Sequence, residues 1–265
     1  MRLRALLRSS FEEALDALFP PVCHLCAAPL TPLTLVTTGT GARTPESDGW
    51  SCAQHRLPRR PPGPRCGRCA RALAPALPDG YACAVCRARS PRFGRLDVLF
   101  DYRDSEAGRA WVLAFKHGGR ADLARPLGAA LGLRLRELHG AALDGALLVP
   151  VPLHPLRHLE RGYDQARLLA EQLALELALE VAPLLERRRA TAVQGAPGSP
   201  PRRANVEGAF RATGPLARLL RPPRARRILL VDDVVTSGAT LDACAGALAR
   251  RGARAIDAVA LARAG

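Results

Sequence analysis

Aromatic residues are scarce in this chain of 265 residues, at 4% of the sequence, and lysine occurs once, at position 116. So few aromatic rings argue against an extensive base-stacking surface for single-stranded nucleic acid. Long apolar segments are also missing, since no run approaches the ~20 residues of a transmembrane helix. The sequence therefore predicts that the chain is not an integral membrane protein, and a cytoplasmic protein is the default expectation.

Positive charge is abundant by contrast. The chain has 39 Lys and Arg against 24 Asp and Glu, a formal net charge of +15. Such an excess raises the question of a nucleic-acid or anionic-lipid partner, although a solvated basic surface with a GC-rich coding bias is the alternative. Because every other basic residue is arginine, Lys116 in the segment Phe115–Gly119 marks a position where a compact ammonium group matters.

The first twenty residues begin with arginines and leucines, as a signal peptide does. Serines and acidic residues interrupt the apolar core that a signal peptide requires. Leucines at helical spacing, with Ser10 and Glu13 as a capping box and Pro20 as a stop, predict an amphipathic helix over residues 1–20. We expect it to pack on the body of the protein, and binding to a membrane surface is the alternative.

Seven of the eight cysteines lie between residues 23 and 86 in pairs with two-residue spacing, one pair being completed by a histidine. The pairs are Cys23 with Cys26, Cys52 with His55, Cys66 with Cys69, and Cys83 with Cys86. Two-residue spacing lets one tight turn direct both donors at one ion, and eight donors suffice for two tetrahedral zinc sites. Zinc enclosed by four protein ligands is structural, and here it would hold a loop-rich domain over residues 21–90.

Alternatives to zinc remain at this point. Disulfides are disfavoured because nothing indicates secretion and cytosolic thiols stay reduced, and an iron–sulfur cluster is a further possibility. The pairing is open as well, because the four pairs can be used sequentially or alternately in a cross-braced arrangement. Cys244 stands alone downstream, and we expect it to be a small core residue.

From about residue 93 onward, helix and strand patterns alternate. Strands are predicted over 98–102, 146–151, 181–185, 228–231 and 255–261, and helices over 105–116, 121–138 and 162–180. This alternation is typical of an α/β domain with a doubly wound parallel sheet, here over residues 93–265.

The most informative segment is Ile228–Thr240, which reads ILLVDDVVTSGAT. Its four leading apolar residues predict a strand buried on both faces, and Asp232 and Asp233 follow at the carboxyl edge, where open α/β sheets bind ligands. The next seven residues offer hydroxyl and N–H groups at a helix N-terminus, which favours a phosphate: Val234, Val235, Thr236, Ser237, Gly238, Ala239 and Thr240. An ordinary capped helix start is the alternative, but a cap needs only one such side chain.

A ligand for this segment must carry two kinds of group. The helix N-terminus favours an anion, whereas the carboxylates favour hydroxyl donors or a hydrated magnesium ion. A ribose 5-phosphate unit carries both. The run VDDVVTSGAT resembles the phosphoribosyl-pyrophosphate signature of the type I phosphoribosyltransferases. The resemblance implies that Asp232 and Asp233 hold the ribose hydroxyls, that the loop after them holds the 5-phosphate, and that magnesium bridges the pyrophosphate.

The order of motifs along the chain is more specific. The cysteine pairs, FKHGGR, VPVPLHPLRHLERGYDQA, TAVQ, RRANVEGAF and LLVDDVVTSGAT follow one another as in the ComF family, to which nearly the whole chain is similar. The resemblance implies a double zinc ribbon joined to a phosphoribosyltransferase domain, with an association with DNA uptake in natural competence. Two positions depart from the family pattern. Asp164 stands where an amide is usual, and His55 replaces a cysteine, which zinc tolerates.

Candidates for binding a leaving pyrophosphate surround the same crevice. They are the backbone at Val151, Pro152 and Leu153, together with Arg157, Arg161 and Lys116, since cations there stabilise charge that develops as a bond breaks. Gln194 begins the Gly- and Pro-rich loop 194–201 and is a further substrate-binding candidate. That loop is interpreted either as a lid that keeps water from an oxocarbenium-like state or as a plain surface loop.

Three functions are consistent with these patterns. The favoured one is a phosphoribosyltransferase that acts on an unidentified acceptor. The second is a sensor that binds phosphoribosyl pyrophosphate or a related nucleotide without catalysis. The third is an adaptor in which the zinc ribbons and the basic linker 56–65 hold single-stranded DNA or contact the competence machinery.

Overall fold

A computed structural model describes residues 21–30, 35–37, 43–45, 50–58, 63–189, 206, 208–214 and 226–265. The chain divides into two compact units, Met1–Leu57 and Pro58–Gly265. The division falls inside the range 21–90 and separates the first two cysteine pairs from the last two. The helix predicted over 1–20, and Gln194 with its loop, lie outside the described residues.

Backbone hydrogen bonds link the described segments of the first unit, including one from the His24 N–H to the Trp50 carbonyl at 2.9 Å. Strands β1 (Leu35–Thr37) and β2 (Arg43–Pro45) pair antiparallel, and a 3₁₀ turn spans Ala53–His55. The turn through Cys23 and Cys26 is closed by an antiparallel bridge between Val22 and Pro29. Such turns bring two-residue-spaced side chains to one side, as a metal-binding knuckle requires.

The second unit contains β3 (Leu96–Asp101), β4 (Leu147–Pro150), β5 (Glu180–Val181), β6 (Leu185–Arg187), β7 (Phe210–Ala212), β8 (Ile228–Val235) and β9 (Ile256–Arg263). Five of these strands form one sheet in the order β3-β9-β8-β4-β5, with every pairing parallel. Leu147, Leu148 and Val149 are fully buried, as are residues 228–231. The predicted α/β fold with a parallel sheet is confirmed, because unbroken apolar runs suit strands covered on both faces.

The strand predicted over 181–185 is wrong in part. Only Glu180–Val181 joins the parallel sheet, and Leu185–Arg187 pairs antiparallel with β7 in a separate two-stranded sheet. Pro183 lies between the two segments. Because proline has no N–H to donate to a ladder, one continuous strand is disfavoured across it.

The helices of the second unit are α1 (Ala84–Ala88), α2 (Glu106–His117), α3 (Ala124–His139), α4 (Pro155–Arg161), α5 (Gln165–Leu177) and α6 (Ala239–Ala249). The predicted helix over 162–180 begins later, because Gly162 ends α4 in the left-handed region at φ 77° and Asp164 caps α5. Close packing of α3 on α5 depends on Gly128, where an added Cβ would lie 2.4 Å from Gln172 Cβ. In the part of the chain described, no helix is both long and apolar enough to cross a membrane.

The sheet reverses its winding between β4 and β8. The chain leaving β4 reaches β5 on one side, whereas the chain leaving β8 reaches β9 on the other. Pro150, the last residue of β4, pairs with Val231, while β8 continues beside β9 as far as Val235. Asp232 and the residues after it therefore extend past the end of β4. A crevice at such a reversal is where open α/β sheets bind ligands.

Candidate functional site

The paired acids Asp232 and Asp233 lie at this crevice, still within β8. Lys116, on the last turn of α2, reaches Asp233 with its Nζ 3.0 Å from Oδ1. Both side chains are largely shielded, with 20% of Lys116 and 13% of Asp233 exposed. The single lysine of the chain thus faces the acidic pair, and sequence position alone could not show that contact.

The surroundings of Asp232 oppose its ionisation. Burial, and then the neighbouring Asp233 carboxylate, raise the pKa of Asp232 to about 8, while Lys116 opposes the rise. Two carboxylates so close together in a shielded site resist carrying two negative charges. Near neutral pH Asp232 therefore keeps a proton that it can donate to a hydrogen-bond acceptor such as a sugar hydroxyl oxygen.

The loop after the acids leads into α6. Gly238 caps the helix in the left-handed region at φ 78°, and Ser237 Oγ accepts from the Ala239 N–H at 3.3 Å. Val235 and Ala239 are buried in the apolar core, so only their backbone groups can face a ligand. The 11-residue helix α6 presents its N-terminus to the crevice, a geometry that favours an anion.

More cations surround the crevice. Burial lowers the pKa of His117, and the charges of Arg161, Lys116 and Arg157 lower it further. The Tyr163 hydroxyl donates to the Phe115 carbonyl and so ties the end of α2 to the junction of α4 and α5. The predicted arginines of α4 therefore contribute positive potential around Lys116 and His117.

Sequence reasoning missed Arg187, which lies on β6. Burial lowers its pKa, Arg157 lowers it further, and the charge of Asp232 raises it. Its guanidinium carbon lies 5.4 Å from the centroid of the Phe210 ring, a cation–π contact. Nothing in the sequence distinguishes this arginine from its neighbours Arg188 and Arg189, so only the tertiary structure could reveal it.

The backbone segment Val151–Leu153 does not offer free donors. The Val151 N–H donates to the Val231 carbonyl at 2.9 Å, Pro152 has no N–H, and the Leu153 N–H donates to Asp164 Oδ2 at 3.1 Å. In this structure these N–H groups are thus engaged within the protein, and a role of this backbone segment in pyrophosphate binding stays a prediction. Asp164 also accepts from the Arg167 N–H at 3.0 Å. The Asp164 carboxylate thus accepts two backbone hydrogen bonds, and this role does not require the side chain to donate one.

The cysteine pairs form two clusters, each with its four donor atoms within 4.8 Å of one another. We call Cys23, Cys26, Cys52 and His55 the first cluster, and Cys66, Cys69, Cys83 and Cys86 the second cluster. The pairing is therefore sequential, and the cross-braced alternative is excluded. All eight cysteines carry free thiols.

The donors fit zinc in number and spacing. In the first cluster Cys26 Sγ lies 3.8 Å from Cys52 Sγ, and in the second Cys69 Sγ lies 3.7 Å from Cys83 Sγ. A tetrahedral ion with Zn–S bonds of about 2.3 Å separates its sulfurs by about 3.8 Å. Both clusters can therefore bind zinc.

Backbone N–H groups favour the thiolate form of one cysteine in each cluster, Cys23 and Cys66. Burial opposes the ionisation of Cys23, but hydrogen bonds from the backbone of Cys52, Cys26 and Leu25 outweigh it and lower the pKa to about 6. In the second cluster burial likewise opposes ionisation of Cys66. N–H groups, including that of Cys83 at 3.3 Å from the sulfur, lower its pKa to about 7. Thiolate is the form that binds metal.

Comparison with known proteins agrees with this architecture. The family model of the phosphoribosyl transferase domain matches residues 164–265, which include β8, its acidic pair and the loop before α6. The fold and the crevice thus define a protein with a phosphoribosyltransferase domain.

Relatives extend the likeness to the cysteine-rich part. The chain is 30% identical over 249 residues to DNA utilization protein YhgH of Escherichia coli strain K12, which covers 92% of this chain and 97% of that protein. It is 31% identical over 207 residues to competence protein F of Haemophilus influenzae, covering 76% and 85% respectively. This chain belongs to the ComF family.

Proposed function

We propose that this protein binds phosphoribosyl pyrophosphate with magnesium in the crevice between β4 and β8 and transfers the phosphoribosyl group to an acceptor. One observation carries the proposal: paired acids, a lysine and an anion-favouring loop converge at the reversal of a parallel sheet. A sugar diol and a phosphate on one ligand satisfy the acids and the loop together. The family-model match over the same segment supports this assignment.

In this proposal Asp232 and Asp233 hold the ribose hydroxyls, and the loop Thr236–Thr240 holds the 5-phosphate. The bond between C1 of ribose and the pyrophosphate oxygen breaks, and pyrophosphate leaves with the electron pair. The acceptor forms the new bond at C1 and loses a proton. Arg157 and Arg161 stabilise the charge that develops on the leaving group, and positioning accounts for most of the rate enhancement.

Magnesium, when bound with the ligand, would neutralise the pyrophosphate oxygens and orient them. The local chemistry is compatible with it, because carboxylate and phosphate oxygens are its preferred ligands. Lys116 lies beside Asp233. When the ribose diol binds, Lys116 would either move away from this carboxylate or share it with the diol. The acceptor has no assigned recognition residue, so its class is left to experiment.

Isothermal titration calorimetry tests the binding step. Wild-type protein with magnesium should bind phosphoribosyl pyrophosphate, and Asp233→Ala should lose the affinity by at least about 100-fold, the scale of one to two lost hydrogen bonds to a charged group. Asp144→Ala removes an exposed acid on another loop and should bind as the wild type does. Absence of wild-type binding would contradict both the transferase and the sensor.

Release of pyrophosphate across a panel of bases and amines then separates these two functions. A transferase releases pyrophosphate with at least one acceptor, whereas a sensor binds the ligand and releases none. The panel should contain purine and pyrimidine bases as well as simple amines, since no residue in the described part of the crevice is assigned to the acceptor.

Binding of single-stranded DNA is a second candidate, favoured by a basic pocket of about 490 Å³. Arg211, Arg250 and Arg251 line it, and no ion pair of Arg250 or Arg251 is found among the described residues. Relatives that carry the name DNA utilization protein are consistent with such a role. Affinity should then fall steeply with salt, and Arg250→Ala with Arg251→Ala should reduce the salt slope by about two. A flat salt response would exclude this function.

A further inference from the structure

The last turn of α2 presents backbone carbonyls that the helix itself cannot satisfy, because the final four carbonyls of a helix have no partner within it. Gly118, the residue after the helix, donates its N–H to the Ala114 carbonyl at 2.9 Å. The next carbonyl, that of Phe115, accepts from the Tyr163 hydroxyl at 2.5 Å. A side chain from a distant part of the sequence thus completes the end of this helix.

Tyr163 is itself held between two helices. Gly162 before it ends α4 in the left-handed region, and Asp164 after it caps α5 and accepts from the Leu153 N–H at 3.1 Å. The Tyr163 ring packs against the fully buried Phe115 ring, with the centroids 5.9 Å apart. Burial raises the pKa of the Tyr163 hydroxyl, so the hydroxyl keeps the proton that it donates. The donor is therefore fixed in place on a rigid part of the fold.

The hydrogen bond from Tyr163 bears directly on Lys116. The Phe115 carbonyl and the Lys116 N–H belong to one planar peptide group, so holding the carbonyl limits how the backbone of Lys116 can turn. The Lys116 ammonium group lies 3.0 Å from Asp233 Oδ1 in β8. The Tyr163 anchor is tied to the same sheet, because α5 packs on β4 and β8. Both ends of the Lys116–Asp233 contact are thus referred to the strands that border the crevice.

We propose that Tyr163 is a positioning residue for the crevice, which acts through the Phe115 carbonyl to hold Lys116 against Asp233. A lysine has a flexible four-carbon stem, so the place of its ammonium group depends on how firmly its backbone is held. A cation that is already ordered loses less conformational entropy when an anionic ligand binds. Tyr163 thereby prepares Lys116 to meet the pyrophosphate group, a consequence that rests on the function proposed above.

The placement of Lys116 can be measured without a ligand, because the chain has a single lysine. Protein grown with isotopically labelled lysine gives a side-chain ammonium signal in nuclear magnetic resonance that belongs to Lys116 alone. The Asp233→Ala variant supplies the position of that signal for the unpaired lysine. Tyr163→Phe removes only the hydroxyl, and we expect it to move the signal at least halfway from the wild-type position towards that reference. A signal that stays at the wild-type position overturns the proposal.

Tyr81→Phe is the matched control. It also removes one hydroxyl, which accepts from Arg87 Nη1 at 2.8 Å, between the cysteine pairs of the second cluster. The Lys116 signal should stay where it is in this variant. A shift of the same size in both variants would show a general effect of losing a hydroxyl and would contradict a specific role of Tyr163.

Ligand affinity tests whether the placement matters for binding. With magnesium present, Tyr163→Phe should weaken the binding of phosphoribosyl pyrophosphate about 3- to 10-fold, the usual cost of immobilising one flexible side chain. In the Lys116→Met background the same change should have no further effect, because the energies of residues that act through one another do not add. An equal loss in both backgrounds would mean that Tyr163 does not act through Lys116.

Calorimetry of the wild type separates this proposal from the proposed function. If the wild type does not bind phosphoribosyl pyrophosphate, the proposed function fails, and the Lys116 signal still decides whether Tyr163 positions the lysine. If the wild type binds and Tyr163→Phe binds equally tightly, the proposed function stands and the role of Tyr163 in binding is overturned. Tyr163→Phe keeps the ring that packs on Phe115, so we expect it to fold as the wild type does.

Discussion

The two cysteine clusters have the same spacing but differ in their surroundings. In the first cluster Cys26 is exposed and both Cys52 and His55 are half-buried, whereas all four cysteines of the second cluster are buried. The first belongs to a unit whose two described strands have three residues each. The second is part of the unit that contains the parallel sheet and the candidate site.

Because the second cluster is buried, its charge must be compensated by neighbouring residues. Ala70, between Cys69 and Arg71, packs into the main apolar core of that unit. Arg65 and Asp101 form an ion pair beside it, and Arg263 is in its electrostatic environment. A charged metal cluster exposed to water needs no such compensation, whereas a buried one does. The comparison therefore predicts that substitutions which change charge near the second cluster lower the free energy of unfolding strongly. Such substitutions around the first cluster should change it little.

The largest expected effect comes from breaking the second cluster. Cys83→Ser removes one of four buried ligands, and we expect the second unit to lose more than about 4 kcal/mol of its free energy of unfolding, because structural zinc binding is worth ~10–16 kcal/mol in small domains. Denaturant unfolding followed by near-ultraviolet circular dichroism measures the loss. Zinc analysis should give one ion per chain in place of two.

Cys26→Ser is the matched control in the first cluster. We expect it also to reduce the zinc content by one ion, while the unfolding transition of the second unit should remain unchanged. Equal destabilisation of that unit by both variants would show that the two clusters are energetically equivalent, which would contradict the comparison.

The ion pair beside the second cluster gives the next largest effect. Asp101→Ala leaves Arg65 buried without its carboxylate, and removing one partner of such a pair costs about 3 kcal/mol. Arg65→Met together with Asp101→Ala should recover much of the loss, since no uncompensated charge then remains. Equilibrium unfolding of the single and double variants measures the coupling. Strict additivity would show that the pair contributes nothing specific to the surroundings of the cluster.

Spacing along the chain was sufficient to predict which residues form the two clusters, and the alternation of apolar runs predicted the parallel sheet. It could not predict that the second cluster is buried, because burial depends on tertiary packing and not on spacing along the chain. The sequence also indicated Asp232, Asp233 and Lys116 as one site. Their roles as ligand-binding residues stay a prediction, although the contact between Lys116 and Asp233 is observed.

Other features escaped prediction for physical reasons. The break at Pro183 divides one apolar segment between two sheets, which composition alone did not show. Arg187 is one arginine in a run of three, and only its burial near Asp232 distinguishes it. The backbone at Val151 and Leu153 is a predicted pyrophosphate contact, and in the structure the Val231 carbonyl and Asp164 accept from its two N–H groups. Tertiary hydrogen bonds decide which backbone donors are free.

Replacing Asp232 should stabilise the folded protein, whereas replacing Asp101 of the ion pair should destabilise it. The reason is that the charged form of Asp232 is disfavoured in the folded chain. The pKa of Asp232 is about 8 in the folded chain against an ordinary value of 3.8. Between those values the folded state holds a proton that the unfolded state has lost, so the free energy of unfolding falls as pH rises. Asp232→Asn should remove this slope and stabilise the protein by about 2 kcal/mol at pH 8, with little change near pH 4.

Unfolding at several pH values checks this, with Asp144→Asn as the exposed control. A wild-type slope that persists in Asp232→Asn would mean that another group titrates in that window. Stabilisation at high pH together with weaker ligand binding would fit a site that sacrifices stability for function.

The smallest expected effect comes from making the donor sets of the two clusters identical. His55 Nδ1 lies 3.4 Å from Cys52 Sγ and 3.7 Å from Cys23 Sγ, so His55→Cys converts the first cluster to four thiolates. The added negative charge is solvated there, and we expect stability to change by less than about 1 kcal/mol, with two zinc ions still bound. Zinc release from the two clusters should still differ, because burial and nearby arginines distinguish them. If the release rates become equal, ligand identity and not the surroundings sets the difference between the clusters.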